Sequence, residues 1–180
     1  MLAALSIVSL FVITIHEVSI QTSSNVMTYD PATPGADHEA LAKASSLLLA
    51  IKGWSTWNSF TSTVLVVSGH GRFEAGADVE LTVRLDPAAE PLKLPFQVEV
   101  AEPNKICWSY QMLSKPIQPL VLRTYRCMLL DIDASTHGIR LRQVDRNWGP
   151  VSLIVRMLFS QQIAGGFDAM AQDMRVKLTA

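Results

Sequence analysis

The segment that decides the interpretation of this chain is Gly53-Trp54-Ser55-Thr56-Trp57-Asn58-Ser59-Phe60-Thr61. It contains two tryptophans three positions apart, followed directly by an amide and closely by a phenylalanine. Residues 40–51, before it, are rich in alanine and leucine and predict a helix, whereas the β-branched residues 63–67, after it, predict a strand. Because each large aromatic side chain buries on the order of 150–250 Å², the cluster either anchors the helix-to-strand junction to a core or lines a pocket.

The bulk composition indicates one globular domain with a large apolar interior. The chain has 180 residues, of which 49% are hydrophobic and 17% charged, with a formal net charge of −1. This length is sufficient for one domain with a substantial core. A nucleic-acid-binding surface needs a basic stripe, so no nucleic-acid partner is expected. The apolar excess is typical of a protein that lines a cavity as well as filling a core, and the expected partner is a hydrophobic small molecule.

Hydrophobic periodicity predicts one strand, then a helix, then a run of antiparallel strands and a long final helix. The first strand is predicted at Phe11–Gln21 and the first helix at Asp37–Lys52, with Asp37 as its N-cap. The last helix is predicted at residues 150–178, with Pro150 in its first turn. The strands between the helices are predicted at Thr63–Val67, Ala77–Asp86, Leu94–Ala101, Lys105–Met112, Leu120–Asp131 and Gly138–Asp145.

The N-terminal segment Leu2–Ile15 is almost wholly apolar. It is shorter than the ~20 residues that span a bilayer, and it lacks the basic start and the small-residue cleavage site of a signal peptide. We therefore interpret its second half as the beginning of strand one, expect no stable membrane span, and predict a cytoplasmic location. A targeting or membrane-associated extension over residues 1–10 is the alternative.

A proline-rich turn at residues 116–119 fixes the register of the hairpin around it. An unbulged hairpin centred on this turn places Trp108 opposite Arg126 and Cys107 opposite Cys127. The cysteines have no metal-ligand spacing and no Cys-x-x-Cys motif, and we interpret them as small buried apolar residues on the outward face of the sheet. Scattered histidines make no zinc site and no cofactor motif occurs, so neither a metal nor a cofactor is expected.

Four segments, in order along the chain, resemble the START-like superfamily, the birch-pollen-allergen group that is also called SRPBCC. They are Gly53-Trp54-x-x-Trp57-Asn58-x-Phe60, the strand–turn–strand Val98–Trp108, Gly149-Pro150 before the last helix, and Gly166-Phe167-Asp168-Ala169-Met170 within it. The polyketide cyclase/dehydrase and lipid-transport branch is the most similar. The resemblance covers roughly Val18 to the C-terminus.

The resemblance implies an α+β helix-grip fold, in which a curved antiparallel sheet wraps around the long C-terminal helix and leaves a cavity between them. It also implies a single START-like ligand-binding domain over residues 1–180. Two features depart from the family pattern. Ser59 stands where the family usually has proline, and residues 25–43 intervene where the family passes directly from strand one into its first helices. We interpret residues 25–43 as an inserted loop beside the cavity entrance.

The candidate catalytic residues are polar side chains that strand alternation places on the inner face: His16, Tyr110 and Arg126. An unpaired arginine in an apolar interior costs several kcal/mol, so Arg126 must find a carboxylate, carbonyl groups or a ligand. Cavity arginines and tyrosines of the cyclase branch are thought to orient a poly-β-ketone and donate protons to it, and the resemblance assigns those parts to Arg126 and Tyr110. Alternatively, Arg126 pairs structurally at the rim. His16 is either a general base or a core residue.

The candidate ligand-binding residues are aromatic and amide side chains near this interior, together with the apolar stripe of the last helix. For the tryptophans and the stripe the alternative is a core role. For Asn58 the alternative is that it caps the helix end or ties down the tryptophan loop. The set is Trp54, Trp57, Asn58, Phe60, Trp108, Gln143, Phe159, Ile163, Phe167 and Met170. Asp168 and Asp173 are predicted on the solvent face of the last helix.

Two functions from different classes are consistent with these features. One is a cofactor-independent enzyme of polyketide or related secondary metabolism, of the cyclase, aromatase or dehydratase type. The other is a non-catalytic carrier or sensor of a lipid or other hydrophobic ligand. Coupled inward-facing ionisable groups favour the enzyme, whereas a wholly apolar cavity favours the carrier. If Arg126 is catalytic, Arg126→Leu is expected to abolish turnover and to preserve the fold.

Overall fold

The computed structural model describes residues 17–68, 71–86, 88–110 and 122–180. Its helices are α1 (Ala36–Leu49), a 3-10 helix (Ile51–Thr56) and α2 (Ser152–Thr179). Its strands are β1 (Val18–Thr28), β2 (Thr61–Val66), β3 (Asp78–Val83), β4 (Leu92–Glu102), β5 (Lys105–Tyr110), β6 (Arg123–Asp133) and β7 (Gly138–Trp148). These strands form one antiparallel sheet in the order β1-β7-β6-β5-β4-β3-β2.

The sheet and helix α2 enclose one apolar core. The buried side chains of α2 recur every three or four residues, at Ile163, Phe167, Met170 and Met174, as expected for a helix that packs along one face. The strands supply alternate residues to the same core: Val79, Leu81, Val83, Phe96, Val98, Ile106, Trp108, Met128, Leu130, Ile139 and Leu141. A long helix held against an antiparallel sheet is the predicted helix-grip α+β architecture, which is confirmed.

The predicted register of the β5–β6 hairpin is confirmed. Trp108 pairs with Arg126, and Cys107 pairs with Cys127. The two cysteines are joined by a disulfide, with their Cα atoms 4.2 Å apart. They therefore lie opposite each other as predicted, and the disulfide links the two neighbouring strands covalently.

A β-bulge in β4 changes which of its residues face the core. The register shifts between Val98 and Val100, so Val100 pairs with Cys107 and Ala101 pairs with Ile106. An extra residue in one strand reverses the alternation beyond it. The inward position that alternation predicts for Val100 is therefore wrong, while those of Phe96 and Val98 are confirmed by their burial.

The predicted inserted loop at residues 25–43 is wrong. Strand β1 continues to Thr28 because Asn25–Thr28 pairs with the first residues of β7, across a bulge between Asn25 and Met27. Helix α1 already begins at Ala36, preceded by Gly35 with φ 78°. Only the short turn at residues 29–35 connects the two elements, and Asp37 lies inside the first helical turn, so it is not the N-cap.

Strand β7 is longer than predicted, and its extension supplies one residue of the site below, Asn147. The sequence ended this strand at Asp145, whereas the structure continues it to Trp148 through pairing with both β6 and β1. The N-terminal part of the predicted first strand, with His16, lies outside the described residues, and so does the hairpin turn at 116–119. In the described part of the chain, no helix is long and apolar enough to cross a membrane.

Candidate functional site

The tryptophan segment forms the junction that the sequence suggested, and it belongs mainly to the core. The indole Nε1 of Trp54 donates a 3.0 Å hydrogen bond to the Leu48 carbonyl oxygen, which fixes the ring under the end of α1. The Trp54 ring lies edge-on to Trp57 and to Trp108, with both centroid distances at 6.0 Å. Edge-to-face contacts of this kind add stability beyond the area that they bury.

Asn58 and Ser59 hold the turn that follows. Asn58 Oδ1 accepts hydrogen bonds from the backbone amides of Phe60, at 3.1 Å, and Thr61, at 2.8 Å. Asp173 of α2 accepts two bonds from Ser59, one from its amide at 2.8 Å and one from its hydroxyl at 2.6 Å. The predicted role of Asn58 in tying down the tryptophan loop is therefore confirmed. Asp173 ties helix α2 to this turn and does not lie free on the solvent face as predicted.

A cavity of about 210 Å³ lies between the sheet and the first half of α2. It reaches the surface near Leu92 and Phe159, which are 46% and 39% exposed. Most of its wall is aliphatic or aromatic, and the polar groups of the wall collect on β5, β6 and β7. The lining residues are Val83, Leu85, Leu92, Leu94, Phe96, Tyr110, Leu122, Thr124, Arg126, Asp145, Asn147, Val155, Phe159 and Ile163.

A buried ion pair lies on this wall. Arg126 is 6% exposed and Asp145 is 1% exposed. Arg126 Nε and Nη2 both donate to Asp145 Oδ2, at 2.8 Å and 2.7 Å. The two residues are direct neighbours across β6 and β7, so the sheet register itself brings the charges together. Arg126 thus has the carboxylate partner that its burial required.

The ion pair belongs to a short polar network with one unused donor. Asn147 Nδ2 donates to Asp145 Oδ1, and the Thr124 hydroxyl donates to Asn147 Oδ1 at 2.7 Å. Arg126 Nη1 is buried and has no hydrogen-bond partner among the described residues. A buried donor without an acceptor costs about 1–3 kcal/mol. This nitrogen is therefore the atom of the network that gains most from an acceptor in the cavity.

Two phenylalanines enclose the guanidinium of Arg126. Its central carbon lies 5.6 Å from the ring centroid of Phe60 and 5.2 Å from that of Phe167. The rings are attracted to the cation through their negative faces, and they shield the ion pair from water. A low local dielectric strengthens every electrostatic interaction that the guanidinium makes.

Helix α2 is joined to the sheet beside this network. Gln143 Nε2 donates a 2.7 Å hydrogen bond to the Phe167 carbonyl oxygen, and both residues are buried. This bond fixes the distance between Phe167 and the sheet. Gln143 therefore contributes to the site by positioning one of the two rings that enclose Arg126.

Comparison with known proteins gives a match at the level of structure. No protein-family model and no curated protein matches the sequence. The Zhui aromatase/cyclase from Streptomyces sp. R1128 has a similar structure, with a TM-score of 0.60 and 12% identity over 91% of this chain and 94% of that one. The chain has the START-like fold.

Two further structures support this assignment. A norcoclaurine synthase mutant of Thalictrum flavum, in complex with a transition-state analogue, has a TM-score of 0.60 and 8% identity over 93% of this chain and 99% of that one. A START superfamily protein of Mycobacterium smegmatis has a TM-score of 0.55 and 12% identity over 91% and 97%. Identities this low establish the START-like fold and leave the function to be argued from the site.

Only some of the predicted site residues line the cavity. Tyr110, Arg126, Phe159 and Ile163 do so. Phe60 and Phe167 do not line the cavity themselves. They contact the guanidinium of Arg126, which does. The remaining candidates in the described residues pack in the core, next to it or in the junction turn, and not on the cavity wall: Trp54, Trp57, Asn58, Trp108, Gln143 and Met170. His16 lies outside the described residues.

Sequence reasoning missed Asp145 and Asn147. Strand alternation places Gln143 on the inner face. Asp145 and Asn147, two and four residues further along β7, lie on the same face. The signal was therefore present, but the predicted strand ended at Asp145. Ion pairing across the predicted β6–β7 hairpin was the second available signal, since a buried arginine calls for a carboxylate on a neighbouring strand.

Tyr110 is a hydrogen-bond donor at neutral pH. Burial raises the pKa of its phenol above the usual 10.0, because the phenolate is poorly solvated there. We expect the free energy of unfolding to fall as the pH rises above 10.0, since the unfolded chain releases this proton first. In Tyr110→Phe the fall between about pH 9 and about pH 11, measured by urea unfolding, should be smaller. An equal decrease in the free energy of unfolding of the wild type and of Tyr110→Phe would contradict this prediction.

No group of three or more histidine, cysteine, aspartate or glutamate side chains in the described residues is arranged to hold a metal ion. Arg126 and Tyr110 carry hydrogen-bond donors on the mostly apolar wall of the cavity.

Proposed function

We propose that the protein binds a small hydrophobic carbonyl compound in the cavity and converts it without a cofactor, as an enzyme of the cyclase, aromatase or dehydratase type in polyketide or related secondary metabolism. The observation that carries this proposal is the Arg126–Asp145 pair, whose charges face a mostly apolar cavity. Charged groups on the wall of a mostly apolar cleft are candidates for a functional site. The structural similarity to an aromatase/cyclase and to norcoclaurine synthase also supports the proposal of an enzyme.

The charge of the site favours a neutral ligand over an anion. Asp145 already neutralises Arg126, and a second carboxylate would be repelled by the first. What remains is the N–H of Arg126 Nη1, which has no acceptor among the described residues. A ketone or ester oxygen accepts a hydrogen bond without bringing a charge into the cavity. A carbonyl compound therefore fits this wall better than a carboxylic acid.

The volume of the cavity limits the size of the ligand. About 210 Å³ corresponds to roughly seven water molecules at about 30 Å³ each. It is smaller than the ~300–1,000 Å³ of sites for drug-sized ligands. A bicyclic ring system with one or two oxygens fits this volume, whereas a long acyl chain fits only if part of it leaves through the opening beside Phe159.

The two donors suit the stabilisation of an enolate or of a polarised carbonyl. Negative charge develops on a carbonyl oxygen when the neighbouring carbon is deprotonated or when the carbonyl carbon is attacked. Arg126 Nη1–H and the Tyr110 O–H would both donate hydrogen bonds to that oxygen and so stabilise its charge. In a dry pocket one such donor is typically worth about 3 kcal/mol, or roughly a hundredfold in rate.

Binding of 1-tetralone tests the site, with tetralin as the matched probe that lacks the oxygen. We expect the wild-type protein to bind tetralone about tenfold more tightly than tetralin, and the carbonyl infrared band to move to lower frequency. The double variant Arg126→Leu/Asp145→Leu, which leaves no unpaired charge, should lose most of this preference. If the wild-type protein does not distinguish the probes, the polar wall does not bind a carbonyl.

The same double variant tests catalysis. With a short poly-β-ketone as substrate, the wild-type protein should accelerate cyclisation and the double variant should not, although its fold and its affinity for tetralin are retained. Equal cyclisation rates with and without the wild-type protein would reject the enzyme and leave the binding function.

A carrier or sensor of a hydrophobic ligand is the second candidate. The observation that favours it is that the wall is mainly aliphatic and aromatic, and that its phenol has a pKa raised above 10.0, so it does not exchange protons readily near neutral pH. Native mass spectrometry of protein purified from its own source separates the two functions. A co-purified lipid that is released unchanged supports the carrier, and a cyclic or aromatic product supports the enzyme.

The predicted cytoplasmic location is part of this proposal and meets one opposing observation. Disulfides are rare in the cytosol, where thiol buffers keep cysteines reduced, and Cys107 is bonded to Cys127. The pairing of these cysteines does not depend on the bond, because the register alone places them opposite each other. In a reducing compartment the pair would occupy the same positions as two thiols.

A further inference from the structure

A second depression, of about 470 Å³, is lined by Phe60 and by residues of the junction turn and α2. We call it the outer groove. The junction turn and β2 form one wall, the end of β3 forms another, and one face of α2 forms the floor. Its volume lies within the ~300–1,000 Å³ of sites for drug-sized ligands, and it is more than twice that of the cavity.

The floor of the outer groove is flat and uncharged. The floor is one face of α2, because both glycines lie three or four positions from Gln162 on one side and from Ala169 on the other. Its residues are Gln162, Gly165, Gly166 and Ala169. A Cβ added at Gly165 meets no atom within 4 Å, so the space above this residue is open. Two glycines inside a helix reduce its stability. Gly165 leaves room for a planar group against the backbone, whereas at Gly166 the Phe60 ring already takes that space.

The walls add apolar surface and a single positive charge. Phe60 and Leu85 supply the apolar part, and Arg84 is an exposed cation on the rim. Among the described lining residues of this groove, Arg84 is the one that carries a charge. The carboxylate of Asp173 lies beside the groove and accepts two hydrogen bonds from Ser59, a neutral residue. Arg84 is therefore the lining group that can pair with an anion.

A buried hydrogen-bond donor lies in the same wall. Asn58 is 3% exposed, and its Oδ1 is held by two backbone amides. This fixes the amide orientation, because only the oxygen accepts bonds from N–H groups. Its Nδ2 has no partner among the described residues. An acceptor in the groove would supply the bond that this donor lacks.

We propose that the outer groove is a second ligand site, which binds a small amphipathic anion with a planar apolar body. The apolar body lies on Gly165 beside Phe60, and the carboxylate or sulfonate lies toward Arg84. The cavity favours a neutral carbonyl compound, so the two sites take ligands of different charge. Because Phe60 lines the groove and also encloses Arg126, a ligand in the groove contacts the residue that shields the ion pair.

The test uses 8-anilinonaphthalene-1-sulfonate, an aromatic sulfonate that fluoresces when it leaves water. We expect Gly165→Phe, which fills the groove, to weaken its binding about tenfold, and Arg84→Gln, which removes the cation, about fivefold. The control Gly165→Ala adds one methyl group in open space and should bind as the wild type does. Salt should weaken binding to the wild type and not to Arg84→Gln.

Nuclear magnetic resonance locates the probe independently of affinity. The backbone amide signals of Gly165 and Gly166 should shift on addition of the sulfonate, while that of Thr124 in the cavity should not. The proposal fails if no fluorescence develops, if Gly165→Phe binds as tightly as Gly165→Ala, or if the shifts fall on Thr124. Because the probe and the reporter residues differ from those of the cavity, failure here leaves the carbonyl-binding function untouched.

Discussion

Arg126→Leu is expected to destabilise the protein by about 3–5 kcal/mol, because it leaves the carboxylate of Asp145 buried without its partner. Asp145 is 1% exposed and both of its bonds to Arg126 end on the same oxygen, Oδ2. The expectation from sequence, that leucine at this position preserves the fold, is therefore replaced. Urea unfolding of the purified variant measures the loss.

The matched control removes both charges. In Arg126→Leu/Asp145→Leu no charge is left unpaired, and replacing a buried ion pair by apolar residues is often neutral or stabilising by about 1–4 kcal/mol. We therefore expect the double variant to recover most of the stability that the single variant loses. A loss below about 1 kcal/mol in the single variant, the range of exposed pairs, would show that water reaches Asp145.

Gly166→Ala is expected to destabilise the protein by about 1–3 kcal/mol, the usual cost of overpacking a core. A Cβ at this position would lie 2.2 Å from two carbon atoms of the Phe60 ring. The ring cannot retreat freely, because it packs edge-on against Phe167, with the centroids 5.8 Å apart, and lies over the Arg126 guanidinium. Helix α2 thus approaches the junction turn closely only because Gly166 has no side chain.

Gly165→Ala provides the comparison for this substitution. It lies in the same helix, one position earlier, and an added Cβ meets no atom within 4 Å. Alanine is preferred over glycine in a helix by about 0.8–1.0 kcal/mol, so this variant should be more stable than the wild type. Thermal unfolding of both variants measures the difference. Equal effects would show that Phe60 moves aside without cost.

The sequence predicted the fold through local patterns that survive folding unchanged. Alternation along β3 predicted the inner face, and the midpoint of one proline-rich turn predicted the pairing of Trp108 with Arg126. Both depend on the two-residue period of a strand and on mirror symmetry about a turn. The prediction failed where a bulge intervenes, at Val100, because an extra residue is invisible in the hydrophobic pattern.

The ends of β1 and β7 show a second limit. Each strand extends beyond its predicted end, to Thr28 and Trp148, because its neighbours offer hydrogen-bond partners there. Asn25–Thr28 has a composition that suits a loop as well as a strand, so the pairing strand decides its conformation. The predicted insertion at 25–43 and the omission of Asn147 have this common cause.

By itself, the sequence determined the order of the elements, the inner faces of the strands and the requirement that Arg126 find a partner, since these follow from periodicity and from the cost of a buried charge. The tertiary structure decided that the partner is Asp145, that Phe60 and Phe167 enclose the guanidinium, and that the tryptophans of the junction pack in the core. These facts depend on contacts between residues far apart in the chain, and no local pattern encodes which distant side chain occupies the space beside another.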